Sequence, residues 1–243
     1  MYLDNPALTL RKLIISIESY SPNQPLRSAL LHFFELESTP SSEPILWEKI
    51  AKVISLPNKI SETLEDYFPD EEITAPNWKN NIISAFSNIN LNARVLEFNN
   101  SISNETKNEL GLLSLIFKTK GEIGKLESDD INEIQDLLCN LKQTVIDSDL
   151  NIELRKDILH YLNNIIRALD DYSITGIGPV ISSVEATLGH ACVSPPFQDI
   201  VKNTEIGDKI KTVLKKSLSA ISTVEGVASL GANCVTLIEH FSK

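Results

Sequence analysis

A few short stretches of this 243-residue chain carry residue types that could do chemistry. Thr175-Gly176-Ile177-Gly178 has a glycine spacing that lets backbone N–H groups approach a phosphate. Such a loop must leave a strand and open a helix within a βαβ unit. Here it follows a long helical pattern and the third glycine is absent. The expected role is therefore a helix break, with Gly176 or Gly178 supplying a left-handed residue and Pro179 starting the next helix. His190-Ala191-Cys192 brings two soft metal ligands close together, but no second pair follows at a zinc-site spacing, and structural use is expected. His32, His160 and His240 read as structural or surface histidines. The acidic pairs differ in setting. Asp129-Asp130 opens a helical pattern, where negative charge is stabilised by the helix dipole, whereas Asp170-Asp171 closes one and opposes it. Packing of Tyr172 or a basic side chain from a partner would compensate, so Asp170, Asp171 and Tyr172 are candidate interaction residues. No Gly-x-Ser-x-Gly, Walker loop or His-Glu-x-x-His occurs, so no catalytic residue, cofactor or metal site is assigned.

The elements that position these residues read as helices. From Ser128 to Tyr172 two amphipathic segments follow one another. In the first, Ile131, Ile134, Leu138, Leu141 and Val145 fall at spacings of three and four, after an Asp130–Glu133 pair resembling a capping box. In the second, from about Asn151, the apolar set Leu154, Ile158, Leu159, Tyr161, Leu162, Ile165, Ile166 and Leu169 is wider, implying neighbours on two sides. The short Asp147-Ser148-Asp149 connection makes them antiparallel neighbours. Upstream, Asn5-Pro6 starts a helix, Pro25 opens a second, Pro44–Ile54 forms a third that stops before Leu56-Pro57, and Asn58–Phe68 a fourth. Further helical runs begin at Trp78, Ala93 and Asn104. The expected class is all-α: a multi-helix bundle built around a long antiparallel helical hairpin. The expected division is a bundle over 1–190 with a sub-boundary near 70–76, a Pro-containing linker over 191–205 marked by Ser194-Pro195-Pro196, and a C-terminal helical segment over 206–243.

That last segment is the compositional outlier, because from Ser217 to Ile238 only Glu225 is charged. About 20 apolar residues span a bilayer, yet Glu225 and Asn233 interrupt this run and Ser and Thr dilute it. The small residues Gly226, Ala228 and Ala232 permit close helix approach. They are candidate interaction positions in a small-residue-rich helix or helix pair that packs in the bundle, forms an oligomer seam, or meets a membrane conditionally.

Composition narrows the classes. The net charge of −11 argues against nucleic-acid binding, which needs clustered Lys and Arg. Three widely spaced cysteines suit reduced thiols, and no basic region leads into an apolar secretion signal, so a cytoplasmic protein is expected.

The Ile89-Asn90-Leu91-Asn92 break, the Asp147-Ser148-Asp149-Leu150 turn, the ending Ile166-Arg167-Ala168-Leu169-Asp170-Asp171-Tyr172-Ser173-Ile174-Thr175-Gly176 and the small-residue apolar tail resemble a diffuse family of uncharacterised bacterial all-helical proteins. The resemblance covers roughly residues 45–240. It implies a bacterial or phage-linked cytosolic accessory protein, including defence or toxin-related ones, and brings no functional residues with it. The leading expectation is a non-enzymatic helical module that binds a protein partner or forms a homo-oligomer. The alternatives are a conditional membrane-acting effector using 217–238 and an enzyme with an unrecognised carboxylate site.

Overall fold

The computed structural model describes residues 4–69, 77–119 and 125–224, and every regular element among them is a helix. The protein is all-α; the described residues add a single isolated antiparallel bridge, Pro25 to Arg94. The chain forms two compact units, the first Asn5–Lys120 and the second Met1–Asp4 together with Gly121–Lys243.

The first unit holds α1 (Pro6–Ser19), α2 (Leu26–Phe33), α3 (Ser42–Tyr67), α4 (Trp78–Ser87), α5 (Val95–Ser101) and α6 (Asn104–Thr119). Pro6 sits at the start of α1, and the Asn5 side chain accepts from Leu8 N at 2.9 Å. The same Asn5 amide donates to Ser114 O and Oγ on α6, fixing α1 against it. Leu10, Leu13, Ile14 and Ile17 form the buried face of α1, which packs on α3 and α6.

Leu56-Pro57 does not end a helix. Residues 42–67 are one continuous α3 with Pro57 inside it. Proline removes one backbone donor and disfavours a helix interior, but the buried line Leu46, Ile50, Val53, Pro57 and Ile60 runs straight through the break. Tertiary burial of that line outweighs the local penalty. The Ser61 hydroxyl donates to Pro57 O at 3.2 Å.

The second unit holds α7 (Ser128–Ile146), α8 (Ile152–Asp170), α9 (Tyr172–Thr175), α10 (Gly178–Val193), α11 (Pro195–Asn203) and α12 (Glu205–Thr223). Asn151 caps α8, its side chain accepting from Glu153 N at 2.8 Å. The buried faces are Ile134, Leu138, Leu141 and Val145 on α7, Ile158, Leu162, Ile165 and Leu169 on α8, and Val180, Ile181, Val184 and Leu188 on α10. Helix α7 packs on α8 and α12, and α8 on α10.

Two local expectations give way here. Asp130 and Glu133 do not form a capping box; both carboxylates accept from Lys216 Nζ on α12, at 2.9 and 2.7 Å. These two hydrogen bonds hold the Lys216 ammonium above the usual lysine range. The stretch 191–205 is not a linker either. Its central part is α11, which starts on Pro195 and buries Phe197, Ile200 and Val201. Two prolines suit the first turn of a helix as well as they suit a loop. Of the apolar tail, Ser217–Thr223 belongs to α12, where Ser217, Leu218, Ala220 and Ile221 are buried. Among the described residues no helix is long and apolar enough to cross a membrane.

Candidate functional site

Asp170, Asp171 and Tyr172 lie at the passage from α8 into α9. Asp170 is exposed and accepts from the Gln135 amide of α7 at 2.8 Å. Asp171 is buried between the two helices, and its carbonyl accepts from Ile174 N and Thr175 N. The acidic pair therefore sits at a helix-to-helix corner, and Asp171 is at once the end of α8 and the start of α9. The Tyr172 hydroxyl accepts from Leu126 N at 2.8 Å. Burial raises the Tyr172 phenol above its ordinary value; the Leu126 N–H opposes this, and the nearby charges of Asp4 and Glu127 add to it.

The glycine stretch just beyond is a capped break. Gly176 adopts φ 79°, a left-handed conformation that disfavours a side chain. The Asp4 carboxylate occupies the start of α10, accepting from Ile177 N at 2.9 Å and Gly178 N at 3.1 Å. A Cβ on Gly176 would clash with the Asp4 carboxylate, so the missing side chain is what admits it. An anion at a helix N-terminus is the expected chemistry, and here the chain supplies its own.

His190 finds a partner that its sequence neighbours do not reveal. Its Nε2 lies 2.6 Å from Asp157 Oδ2 on α8. The ring stacks on Tyr161 with centroids 4.5 Å apart, and Phe197 of α11 meets it edge-on at 5.1 Å. Three helices thus close on one half-buried imidazole. Asp157 and Tyr161 are one turn apart on α8, a spacing that places them on one face, but the contact across 33 residues leaves no local signal. Cys192, two positions along α10 from His190, is exposed. Among the described residues no group of three His, Cys, Asp or Glu side chains is placed to hold a metal ion. The arrangement orients the ring and ties α8 to α10.

In the first unit, Ser16, Leu31, His32, Phe33, Glu35, Leu36 and Glu37 line an open cleft of about 480 Å³. Glu35 follows α2 at φ 55°, Glu35 N donates to His32 O and Leu36 N to Leu31 O. This is the Schellman termination, with glutamate where glycine is usual. Glu35 and Glu37 are both exposed.

The chain has no match among protein-family models, curated proteins or solved structures.

What the structure presents most plainly is surface. Helix α3 buries one apolar line and exposes another. Pro44, Trp47, Ala51 and Ile54 follow at spacings of three, four and three, and all four are exposed, Trp47 by 46% and Ile54 by 44%. The Trp47 ring is held in place by its N–H, which donates to Glu43 Oε1 at 3.0 Å, while Glu43 also pairs with Arg27. In the second unit, exposed apolar residues gather at one end. Ile146 ends α7 and Ile152, 61% exposed, begins α8. The His190–Asp157 contact brings the end of α10, with Val193 76% exposed, to the same part of α8. Sequence reasoning missed the α3 line because Trp47, Ile50, Val53 and Ile54 read as one apolar run, and the run alone does not separate the buried Ile50 and Val53 from the exposed Trp47 and Ile54. The candidate positions Gly226, Ala228 and Ala232 lie outside the described residues.

Proposed function

We propose that the protein is a helical interaction module that binds a protein partner or a second copy of itself, and that it performs no chemistry of its own. The observation that carries this reading is the exposed line Trp47–Ala51–Ile54 on a helix whose opposite side is already buried. A core needs one apolar face per helix; a second, exposed face costs solubility unless something covers it. In this reading the α7–α8 pair is an antiparallel hairpin that serves as the scaffold of the second unit.

The test is the mass in solution, measured by light scattering with cross-linking in a cell extract, for the intact chain and for Ile54→Asn. The expected result is a self-association or a cross-linked complex that weakens in the variant while its helix content is unchanged. A monomer of 27.0 kDa that cross-links to nothing would remove the reading.

The membrane-acting alternative requires 217–238 to act as one segment. Residues 217–223 are committed to α12, so this reading needs Ser217, Leu218, Ala220 and Ile221 to leave the core.

A further inference from the structure

We propose that the exposed face of α3 receives a basic amphipathic helix from a partner protein, one that is apolar along half its length and rich in Lys or Arg along the other half. This names the partner for the interaction reading above and rests on it. The apolar half of the site is the line from Pro44 to Ile54, which rises about 15 Å, close to three helical turns. Ala51, between Trp47 and Ile54, leaves a gap that lets a second helix approach closely.

The same line continues beyond Ile54 through Asn58 to Glu62 and Glu65, at spacings of four, four and three, and these three residues are exposed as well. The character of the face thus changes from apolar to acidic halfway along α3. Asp66, the next residue, is exposed as well. Of the three lysines of α3, Lys49 is buried, Lys52 pairs with Glu48 on the flank at 2.9 Å, and Lys59 is half-buried beside Asn58.

A helix that matched only the apolar half would leave Glu62 and Glu65 facing its other end. A helix carrying cations there meets opposite charge along the whole face, and the net charge of −11 speeds its approach. A second copy of this chain fits less well, because in an antiparallel pair of α3 helices the acidic half of each would lie against the apolar half of the other.

The experiment uses the full chain and two synthetic fluorescent peptides of about five turns. One carries leucines at helical spacing in its first half and lysines in its second; its twin has glutamate for every lysine. Binding is read by anisotropy at low and at high salt, and the emission of the exposed Trp47 is followed in parallel. The lysine peptide should bind saturably, weaken as salt rises, and shift Trp47 emission to the blue, while the glutamate twin does not bind. Ile54→Ser and the pair Glu62→Gln, Glu65→Gln should each weaken binding at least ten-fold, with circular dichroism unchanged. No binding of the lysine peptide, or binding that both variants leave intact, overturns the proposal. Association in light scattering without peptide binding would retain the interaction module and discard this partner.

Discussion

Asp4 and Gly176 act as one device, although 172 positions of sequence separate them. The carboxylate satisfies two N–H groups at the start of α10, and the absent Cβ makes room for it. Replacing Asp4 by Ala should destabilise the second unit by about 1–2 kcal/mol, the scale of a lost helix cap. Gly176→Ala should cost at least as much, through both its φ and the clash. Because both changes remove the same contact, the double variant should lose less than the sum. Urea unfolding of the two single variants and the double is the check, and full additivity would show that Asp4 and Gly176 act independently. Tyr172 adds a pH dependence. Its folded pKa is raised by burial, so its contribution is fully present below about pH 10, the unfolded tyrosine value, and is lost as pH rises through the folded value. Tyr172→Phe should flatten the loss of stability on the alkaline side, measured by thermal melts from pH 8 to 11. Little of this was legible in the sequence. Thr175-Gly176-Ile177-Gly178 announced a helix break, but nothing near Asp4 pointed to residue 177, and nothing near His190 pointed to Asp157. Side-chain contacts between distant segments leave no periodicity to read.

At the level of elements, period was the dependable signal and proline the misleading one. The stripes of α7 and α8 are buried where their spacing puts them, because burying each Leu or Ile is worth about 1.5–3 kcal/mol and the pattern leaves one way to do it. Pro57 and the Pro195-Pro196 pair have the local character of boundaries, yet one lies inside α3 and the other opens α11. Both errors come from weighing a local backbone penalty without the buried residues beside it. Phe197 separates the two views of 191–205. In a linker its replacement by Ala would be nearly neutral, whereas in α11, fully buried against His190 and Tyr161, it should cost about 3–5 kcal/mol. Chemical denaturation of Phe197→Ala decides between them. On the exposed line of α3 the opposite holds. Ala51→Ser and Ile54→Asn should change stability by about 0.5 kcal/mol or less, and a larger loss in either would mean that this face is packed against something in the folded chain.

For the molecule as a whole, the division into Asn5–Lys120 and the remainder makes truncation informative. Cutting before Ile206 removes nearly all of α12, with its buried Ile210, Val213, Leu214 and Leu218 and the Lys216 contacts to α7, and should unfold the second unit. Cutting after Val224 leaves every described element in place. It removes the seam positions Gly226, Ala228 and Ala232, so it isolates their part in assembly. If those positions form an oligomer seam, light scattering should show a smaller mass for residues 1–224 than for the intact chain, with the same helical signal per residue. An unchanged mass would exclude the seam.

Asp4 also sets an order of events during synthesis. Its acceptor atoms leave the ribosome 173 residues before the Ile177 N–H that they bind. At translation rates of roughly 5–20 residues per second, that is a wait of about nine to thirty-five seconds. The intervening Asn5–Lys120 unit is complete well before the wait ends, so the first residues must stay uncommitted while their immediate neighbours fold. Closure of the second unit is therefore a late, post-emergence step, and in a nascent chain stalled before Ile177 Asp4 should lack both of its N–H donors at the start of α10.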